Sequence, residues 1–249
     1  MCYSVITNSK HSGCPRVSVL SASKGNNPFA DKMSAPNGGI PSEEEKNFFN
    51  SVQIPFPEVI DGKIDTLQFL ESSKGVASLI DKFGKVFGPV KYDMTGNIEK
   101  LTQRYDTNKD KHMYLNNMIL SEKELGGNYA TDALLWLRRA LHFIHKFFHC
   151  ILEDSRQGKK SEDLIPFLKK AYKETLEAYH GWMAQKCFGL LSRMCPSRSE
   201  LMRTLALGRE NREEAVLREM AIFLQGLDSN IQAIIQLYLE NDLESNAKV

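Results

Sequence analysis

The sequence predicts an all-α fold of about eight helices. Apolar residues recur at intervals of three and four along most of the chain after position 41, as they do on the buried face of a helix. Runs that alternate polar and apolar residues, which indicate strands, are nearly absent. Ser–Glu and Asn–Glu pairs spaced three residues apart precede several apolar runs, and such pairs are typical of helix N-termini.

The first group of predicted helices lies between residues 42 and 154. Ser42 and Glu45 form a capping-box pair ahead of the segment KNFFNSV. The segment IDTLQFLESSKGVASLIDKF then predicts a long amphipathic helix, followed by a turn at Gly84 and Gly88. Three further helices are predicted, over residues 92–105, 111–125 and 130–154.

A second group of helices is predicted after the break at GKKS. Ser161 would start one long helix that runs to about residue 194 and ends before Pro196. Three later helices are predicted to start at Ser197 with Glu200, at Asn211 with Glu214, and at Asp228 or Ser229. Long helices joined by short loops favour a helical domain packed in layers.

Residues 1–41 differ in composition from the rest of the chain. They are rich in Ser, Asn, Gly and Pro and show no helical or strand period, which predicts a disordered N-terminal extension. A transit peptide is an alternative, because the segment is basic and has no acidic residue before Asp31. Its weak amphipathic patterning disfavours that alternative. We therefore expect one helical domain over residues 42–249.

The composition excludes several classes of protein. With 42% hydrophobic and 25% charged residues, the 249-residue chain is an ordinary globular protein, and a net charge of +1 gives no overall attraction for nucleic acid. No apolar run reaches the roughly 18 residues of a membrane span, so any membrane contact should be at the surface. Five cysteines without a C-x-x-C pair favour a reduced, cytosolic location.

One polar segment begins like a calcium-binding loop. DTNKDKHMYLNN starts at Asp106 and carries acidic or amide side chains at its first, third and fifth positions. Lys111 stands where the loop needs glycine, and Asn117 stands where it needs a bidentate glutamate. A loop between two helices is therefore the favoured interpretation.

Three histidines form a second polar cluster. His142, His145 and His149 share one helical stripe with Arg138, and metal ligands can have such spacing. A solvated helix face is favoured, because three ligands from one helix close a tetrahedral shell poorly and the stripe already carries a cation. Motifs for a nucleophile elbow, a zinc protease, a P-loop or a dinucleotide site are absent. We therefore expect no metal, no cofactor and no enzymatic activity.

A polar stripe occupies a position normally used by core residues. Asp93, Asn97, Lys100 and Arg104 fall at i, i+4, i+7 and i+11 of a predicted helix. An apolar stripe runs beside it, one residue later in the sequence. Carboxylate, amide and ammonium groups side by side can bind several hydroxyls of one ligand.

Two tryptophans and a histidine complete the candidate site. Trp136 begins a face that continues through Ala140, Phe143 and Phe147, and its ring could stack on a sugar, although a core role is the alternative. His180 lies among apolar residues, where a satisfied core histidine is the alternative to a ligand contact. Trp182 is predicted to be exposed, which favours a membrane or protein interface. Together these residues suggest a site for an amphiphile.

These stretches resemble the glycolipid transfer protein family. The family has a D-x-x-x-N-x-x-K helix, a W-L-[KR]-R-[GA]-L helix and an H-G-W segment. The corresponding stretches here read DMTGNIEK, WLRRAL and YHGW, in the same order. The resemblance covers residues 42–249 and implies a two-layer all-α fold that encloses one sphingolipid.

The resemblance also implies roles for individual residues. Asp93, Asn97 and Lys100 would bind the sugar, and Asp93 would also contact the ceramide amide N–H. Trp136 would stack on the first sugar, and His180 would bind the amide carbonyl. Two further residues would contact the membrane, Tyr172 and Trp182.

Some positions differ from the family pattern. Ala247 stands where a tyrosine is common, and Asp132 stands where an apolar residue is common. Val249 would pack near the headgroup. A sister branch carries ceramide-1-phosphate, with Lys in place of Asn97 and Arg in place of Trp136 and Ala140; the residues found here favour a sugar.

The expected function is passive transfer of one glycosphingolipid between membranes by a cytosolic carrier that touches membrane surfaces transiently. The expected ligand is glucosylceramide, galactosylceramide or lactosylceramide. Alternatives are a ceramide-1-phosphate carrier, a helical lipid-sensing or protein-interaction module, and, least favoured, a lipid hydrolase.

Overall fold

The computed structural model describes residue 42, residues 45–84 and residues 87–248. Within these ranges the chain forms eight α-helices and a few short helical turns, with isolated β-bridges in place of strands. The predicted all-α class is therefore confirmed. The helices are α1 (Thr66–Asp81), α2 (Gly88–Asp106), α3 (Leu115–Glu124), α4 (Tyr129–Arg156), α5 (Ile165–Thr175), α6 (Trp182–Leu191), α7 (Arg198–Leu205) and α8 (Glu213–Glu240).

The central element is α4, which packs against α2, α3, α5 and α8. Its apolar residues recur so densely that most of its circumference is buried. The N-terminus of α4 is capped by Glu122 of α3, whose carboxylate accepts hydrogen bonds from the backbone N–H groups of Ala130 (3.0 Å) and Thr131 (2.8 Å). A negative charge at this end also favours the helix dipole. Together these contacts hold the helix that carries Trp136.

The start of the domain differs from the prediction. Ser42 and Glu45 do bond to each other, at 3.0 Å between Oγ and Oε2, but no helix follows them directly. A short π-helical turn at Phe48–Val52 is instead capped reciprocally by Asn47 and Asn50. The predicted helix would start at Lys46, whereas the turn begins two residues later, at Phe48. Phe48 and Phe49 are buried in the core there.

The predicted helix over residues 161–194 is wrong as a single element. Helix α5 begins only at Ile165, with Pro166 in its first turn, and ends at Thr175. His180 and Gly181 adopt extended backbone conformations, with ψ of 129° and 176°, before α6 starts at Trp182. Extended residues cannot continue the i to i−4 hydrogen bonding, so the apolar pattern crosses a real break. The break presents His180 and Trp182 to different surroundings.

The C-terminal helix is longer than predicted. Asn211 and Glu214 do not cap it, and Asp228 and Ser229 do not start a new one, because α8 runs through them without interruption. The Ser229 hydroxyl donates to the carbonyl of Gln225 one turn earlier, which keeps it compatible with a helix interior. The capping box of Ser197 and Glu200 at α7, by contrast, is confirmed.

The loop between α2 and α3 has the helix-connecting role that the sequence favours over a calcium site. The Asn108 side chain accepts a hydrogen bond from the backbone N–H of Lys111 at 3.1 Å. The Lys109 ammonium lies 3.2 Å from the Asp106 carboxylate, so a lysine pairs with the first acidic position. Helix α3 begins at Leu115, later than predicted.

The prediction that the histidine stripe of α4 is solvated is wrong for two of its four residues. His149 is exposed, but His145 and Arg138 are buried, because α8 covers this side of α4. The His145 Nε2 lies 3.9 Å from an Asp228 carboxylate oxygen on α8. Burial is the main cause that lowers the pKa of His145 to about 4, and the Asp228 charge opposes it. Across the described residues no group of three candidate ligands is arranged to hold a metal ion.

This burial predicts acid sensitivity of the fold. The folded protein favours neutral His145, whereas the unfolded chain takes up a proton at a pKa of about 6.5, so stability is lost as pH falls from about 6.5 towards 4. We expect His145 to account for a loss of about 2 kcal/mol in the free energy of unfolding between pH 7 and pH 5. Urea unfolding at both pH values should show that His145→Gln removes this loss. His149→Gln, at an exposed position, should keep it; equal pH dependence in all three proteins would contradict the prediction.

Some sequence predictions lie outside the described residues. These are the N-terminal extension of residues 1–41 and the packing of Val249. Three cysteines, Cys150, Cys187 and Cys195, are free thiols. Of the helices in the described ranges, none combines the length and apolarity needed to cross a bilayer.

Candidate functional site

A cavity of about 470 Å³ lies among α1, α2, α4, α5 and α6. Its wall is mostly apolar, with a small group of polar side chains, which is the usual composition of a small-molecule site. Five predicted headgroup residues line it together: Asp93, Asn97, Lys100, Trp136 and His180. Residues separated by almost ninety positions in the sequence therefore meet at one site.

Three residues of the polar stripe on α2 face this cavity. Asn97 is buried, and its amide nitrogen lies 3.5 Å from a carboxylate oxygen of Asp93, one turn earlier. The Lys100 ammonium lies 5.8 Å from the centroid of the Tyr129 ring, in a cation–π contact. Arg104, the fourth member of the stripe, does not line the cavity and instead bonds the Ser121 hydroxyl at 3.4 Å. Three residues of the stripe therefore belong to the cavity, and the fourth, Arg104, makes a contact between α2 and α3.

The Asp93 carboxylate has an electrostatic environment typical of a binding site. Partial desolvation by the cavity wall raises its pKa above the ordinary value, and the electrostatic interactions with His180 and Lys100 oppose that rise. The carboxylate offers acceptor positions beside the Asn97 amide and the Lys100 ammonium. This group can therefore accept hydrogen bonds from a hydroxyl or an amide N–H and donate to another oxygen of the same ligand.

Trp136 and His180 also line the polar region of the cavity. Trp136 lies on α4 and is half-buried, so its ring is neither fully in the core nor free in solvent. The centroids of the Trp136 and His180 rings are 6.1 Å apart, with an angle of 19° between the ring planes. The backbone carbonyl of His180 accepts a hydrogen bond from the Gln185 side chain at 2.9 Å, which holds the break between α5 and α6. Two nearly parallel flat rings therefore border the space beside Asp93.

Tyr172 orients His180. Its hydroxyl lies 2.9 Å from the Nδ1 atom of His180. Burial raises the pKa of Tyr172 to about 12, so the hydroxyl keeps its proton, and burial also lowers the pKa of His180, which favours the neutral ring. When the tyrosine donates to Nδ1, the proton of the neutral imidazole lies on Nε2, which can then donate to a ligand. The resemblance places Tyr172 at the membrane-contact face, whereas the structure buries it, with 4% of its surface exposed.

The cavity becomes apolar with distance along α4. Phe143 follows Trp136 by about two helical turns, and its ring makes an edge contact with Phe188 of α6, with centroids 6.2 Å apart. The Phe188 ring in turn stacks on Tyr172 at 3.6 Å. Ala140 and Phe147 extend the apolar wall of α4 on either side of Phe143. The site therefore joins polar groups around Trp136 to a wall suited to hydrocarbon.

Trp182 lies on the surface and does not line the cavity. It is 69% exposed, and other large apolar side chains of α6 and the turn after it are exposed as well: Met183, Leu190 and Met194. Leu190 is exposed to solvent, whereas Phe188 and Leu191 of the same helix line the cavity. The four exposed residues form an apolar surface, named here the α6 patch. Such a patch marks an interaction site.

The sequence did not indicate that some of the apolar residues would line the cavity. They come from α1, from the turn before α2 and from the start of α2, and they are Ile80, Phe83, Phe87, Pro89 and Val90. Their spacing is the same as that of ordinary core residues, so a sequence pattern cannot separate the two roles. Asp132 is exposed and does not line the cavity, so this departure from the family pattern lies outside the site.

Comparisons with known proteins agree with this geometry. A family model described as "Glycolipid transfer protein (GLTP)" matches residues 64–207, which is more than half of the chain. The glycolipid transfer protein of Xenopus tropicalis is 33% identical over 198 residues, covering 77% of this chain and 95% of that protein. The dog "Pleckstrin homology domain-containing family A member 8" is 32% identical over 238 residues; the match covers 89% of this chain but only 45% of that longer protein.

A solved structure shares the fold. It is described as "How FAPP2 Selects Simple Glycosphingolipids Using the GLTP-fold", is 33% identical, and superposes with a TM-score of 0.73. The match covers 82% of this chain and all of that chain. The family model, the relatives and the shared fold lead to one conclusion: this chain belongs to the glycolipid transfer protein family.

Proposed function

We propose that this chain binds one glycosphingolipid and transfers it passively between membranes, in the cytosol and without chemical change of the lipid. One observation carries the proposal. Asp93, Asn97, Lys100, Trp136 and His180 line the same cavity as a continuous wall of apolar side chains. A glycosphingolipid has the same two parts, a sugar with an amide next to two long hydrocarbon chains.

The polar groups would divide the headgroup among them. Asp93 would accept hydrogen bonds from sugar hydroxyls and from the amide N–H, and Asn97 and Lys100 would donate to further sugar oxygens. Trp136 offers a flat apolar ring to the sugar face. The Nε2–H of His180, oriented by Tyr172, would donate to the amide carbonyl. All of these contacts are hydrogen bonds or ring stacking, so they suit a headgroup that carries no charge.

The apolar wall would account for the speed of transfer. At about 0.8 kcal/mol per methylene, exposing roughly 30 methylenes to water costs on the order of 20 kcal/mol, so spontaneous exchange between bilayers is very slow. A carrier that replaces the bilayer with an apolar cavity removes most of that cost. Phe143, Phe147 and Phe188 are suited to this role because they are apolar and line the cavity.

The α6 patch would dock the protein on a bilayer. Trp182 lies at the start of α6 with the Lys186 ammonium 5.9 Å from its ring centroid, so an aromatic ring and a cation are exposed together. Tryptophan and lysine are both favourable at the boundary between headgroups and acyl chains. Membrane contact would therefore involve Trp182, while Tyr172 would act from inside the site.

Replacing Trp182 with alanine should reduce vesicle binding by about tenfold, because a large apolar ring no longer enters the interface. Sedimentation with phosphatidylcholine vesicles measures the effect. Leu125→Ala is the matched control, since Leu125 is also strongly exposed but lies at the end of α3, away from the patch. Equal losses in the two variants would argue against docking through α6.

Transfer of fluorescent galactosylceramide between vesicles, with fluorescent ceramide-1-phosphate in parallel, tests the proposed function directly. We expect fast glycolipid transfer and little transfer of the phosphate lipid. Preferred transfer of ceramide-1-phosphate would assign the chain to the phosphate-lipid carriers instead. Absence of transfer and of lipid uptake would favour a protein-interaction module.

A further inference from the structure

The C-terminal segment brings a carboxylate onto α4 beside the candidate site. After α8 ends at Glu240, the chain turns back, and both oxygens of Glu244 bond one Arg138 nitrogen, at 2.7 and 3.0 Å. The same carboxylate lies 3.2 Å from a terminal nitrogen of Arg139. That arginine also donates to the backbone carbonyl of Ser245. One glutamate thus binds two consecutive arginines.

Both arginines are buried, which makes this contact important. Arg138 is 6% exposed and Arg139 is 3% exposed, and the Nε atom of each has no hydrogen-bond partner within the described ranges. Within the described part of the chain, the carboxylate at ion-pair distance from Arg138 and Arg139 is that of Glu244. A buried cation without a counter-charge strongly attracts an anion, because the surroundings screen it weakly.

The Arg139 charge lies next to the headgroup residues. Its guanidinium carbon is 5.0 Å from the centroid of the Trp136 ring and 3.5 Å from that of Tyr179, the residue before His180. The positive charge of Arg139 contributes to the lowered pKa of His180, after the larger effect of burial. A headgroup stacked on Trp136 would therefore lie close enough to Arg139 to interact with its positive charge.

We propose that Glu244 determines headgroup selectivity by neutralising Arg139 and Arg138, so that the site beside Trp136 favours an uncharged sugar over a phosphate. The inference rests on the proposed function and adds a residue to it. A sugar gains little from a nearby net positive charge, whereas a phosphate monoester gains strongly. By the same contacts, Glu244 holds the guanidinium that packs on Trp136, so it is a positioning residue as well.

Glu244→Gln tests this inference, because it keeps the shape of the side chain and removes the charge. The readout is the ratio of ceramide-1-phosphate transfer to galactosylceramide transfer between phosphatidylcholine vesicles. We expect the ratio to rise about tenfold, and the increase to shrink at high salt. The double variant Arg139→Gln with Glu244→Gln should return the ratio towards that of the original protein, since the uncompensated cation next to Trp136 is gone.

Glu213→Gln provides a matched control. Glu213 also pairs with a buried arginine, Arg198, at 2.7 Å, but at the start of α8 and away from the cavity. This variant should leave the ratio unchanged. If Glu244→Gln does not fold, Glu244→Asp withdraws the carboxylate by one methylene and should raise the ratio by a smaller factor.

The outcomes separate this inference from the proposed function. Glycolipid transfer by the original protein with an unchanged ratio in Glu244→Gln, or an equal loss for both lipids, would overturn the selectivity role and leave the carrier function standing. If the original protein transfers neither lipid, the proposed function itself fails. A raised ratio that the double variant reverses would establish both.

Discussion

Asp93→Val is expected to reduce glycolipid transfer by about 10- to 100-fold. The substitution removes the one carboxylate among the five predicted headgroup residues that line the cavity. In the proposed complex, the sugar hydroxyls and the ceramide amide would then lack an acceptor in a partly desolvated site. Such unpaired groups cost about 1–3 kcal/mol, and each 1.4 kcal/mol is a tenfold change in affinity. Vesicle-to-vesicle transfer of galactosylceramide measures the loss.

A matched control for Asp93→Val lies on the same helix. Asp106→Val removes a carboxylate at the end of α2, where Asp106 is exposed and pairs with Lys109 outside the cavity. This variant should transfer glycolipid at nearly the original rate, because exposed ion pairs contribute little. Asp93→Asn should lie between the two, since the amide keeps one acceptor. Unchanged transfer by Asp93→Val would exclude the polar stripe of α2 as the sugar-binding face.

Trp136→Ala is expected to lower glycolipid transfer by at least tenfold. The variant loses the ring proposed to stack on the sugar, and it also removes the surface on which Arg139 packs at 5.0 Å. Contacts of aromatic rings contribute about 0.5–1.5 kcal/mol beyond the burial of their area, so the combined loss exceeds that of a single hydrogen bond. Trp136→Phe should retain part of the activity, because a smaller flat ring remains.

General destabilisation of α4 must be separated from loss of the site. Phe148→Leu shortens a buried residue of the same helix that does not line the cavity, so it should lower the unfolding temperature without a comparable loss of transfer. Thermal unfolding of Trp136→Ala and Phe148→Leu, measured beside transfer, makes the comparison. Equal activity of Trp136→Ala and the original protein would argue against sugar stacking.

Residues of the candidate site could be predicted where polar side chains stand at helix positions that apolar residues normally occupy. Asp93, Asn97 and Lys100 occupy a stripe that core residues normally use, and the cavity contains all three. The motifs WLRRAL and YHGW added Trp136 and His180 through family resemblance, and both line the same cavity. Their roles in binding sugar and amide remain predictions until the variants are measured.

Helix boundaries were predictable only where local and long-range preferences agree. Helix α4 follows from its dense apolar period, and α7 follows from the Ser197 capping box. The polar residues Asp228 and Ser229 suggested a helix start, but packing of α8 on α4 overrides that local preference. An unbroken apolar pattern likewise concealed the extended backbone at His180.

The sequence by itself determined the all-α class, the order of the motifs and the residue types able to bind a sugar, because helical period and side-chain chemistry are local properties. Only the tertiary structure decided which charges are buried and which partners they have. Arg138 and Arg139 meet Glu244 more than one hundred positions later in the chain, and Tyr172 turns inward to His180. Such contacts depend on how distant helices pack, and no spacing within one helix specifies them.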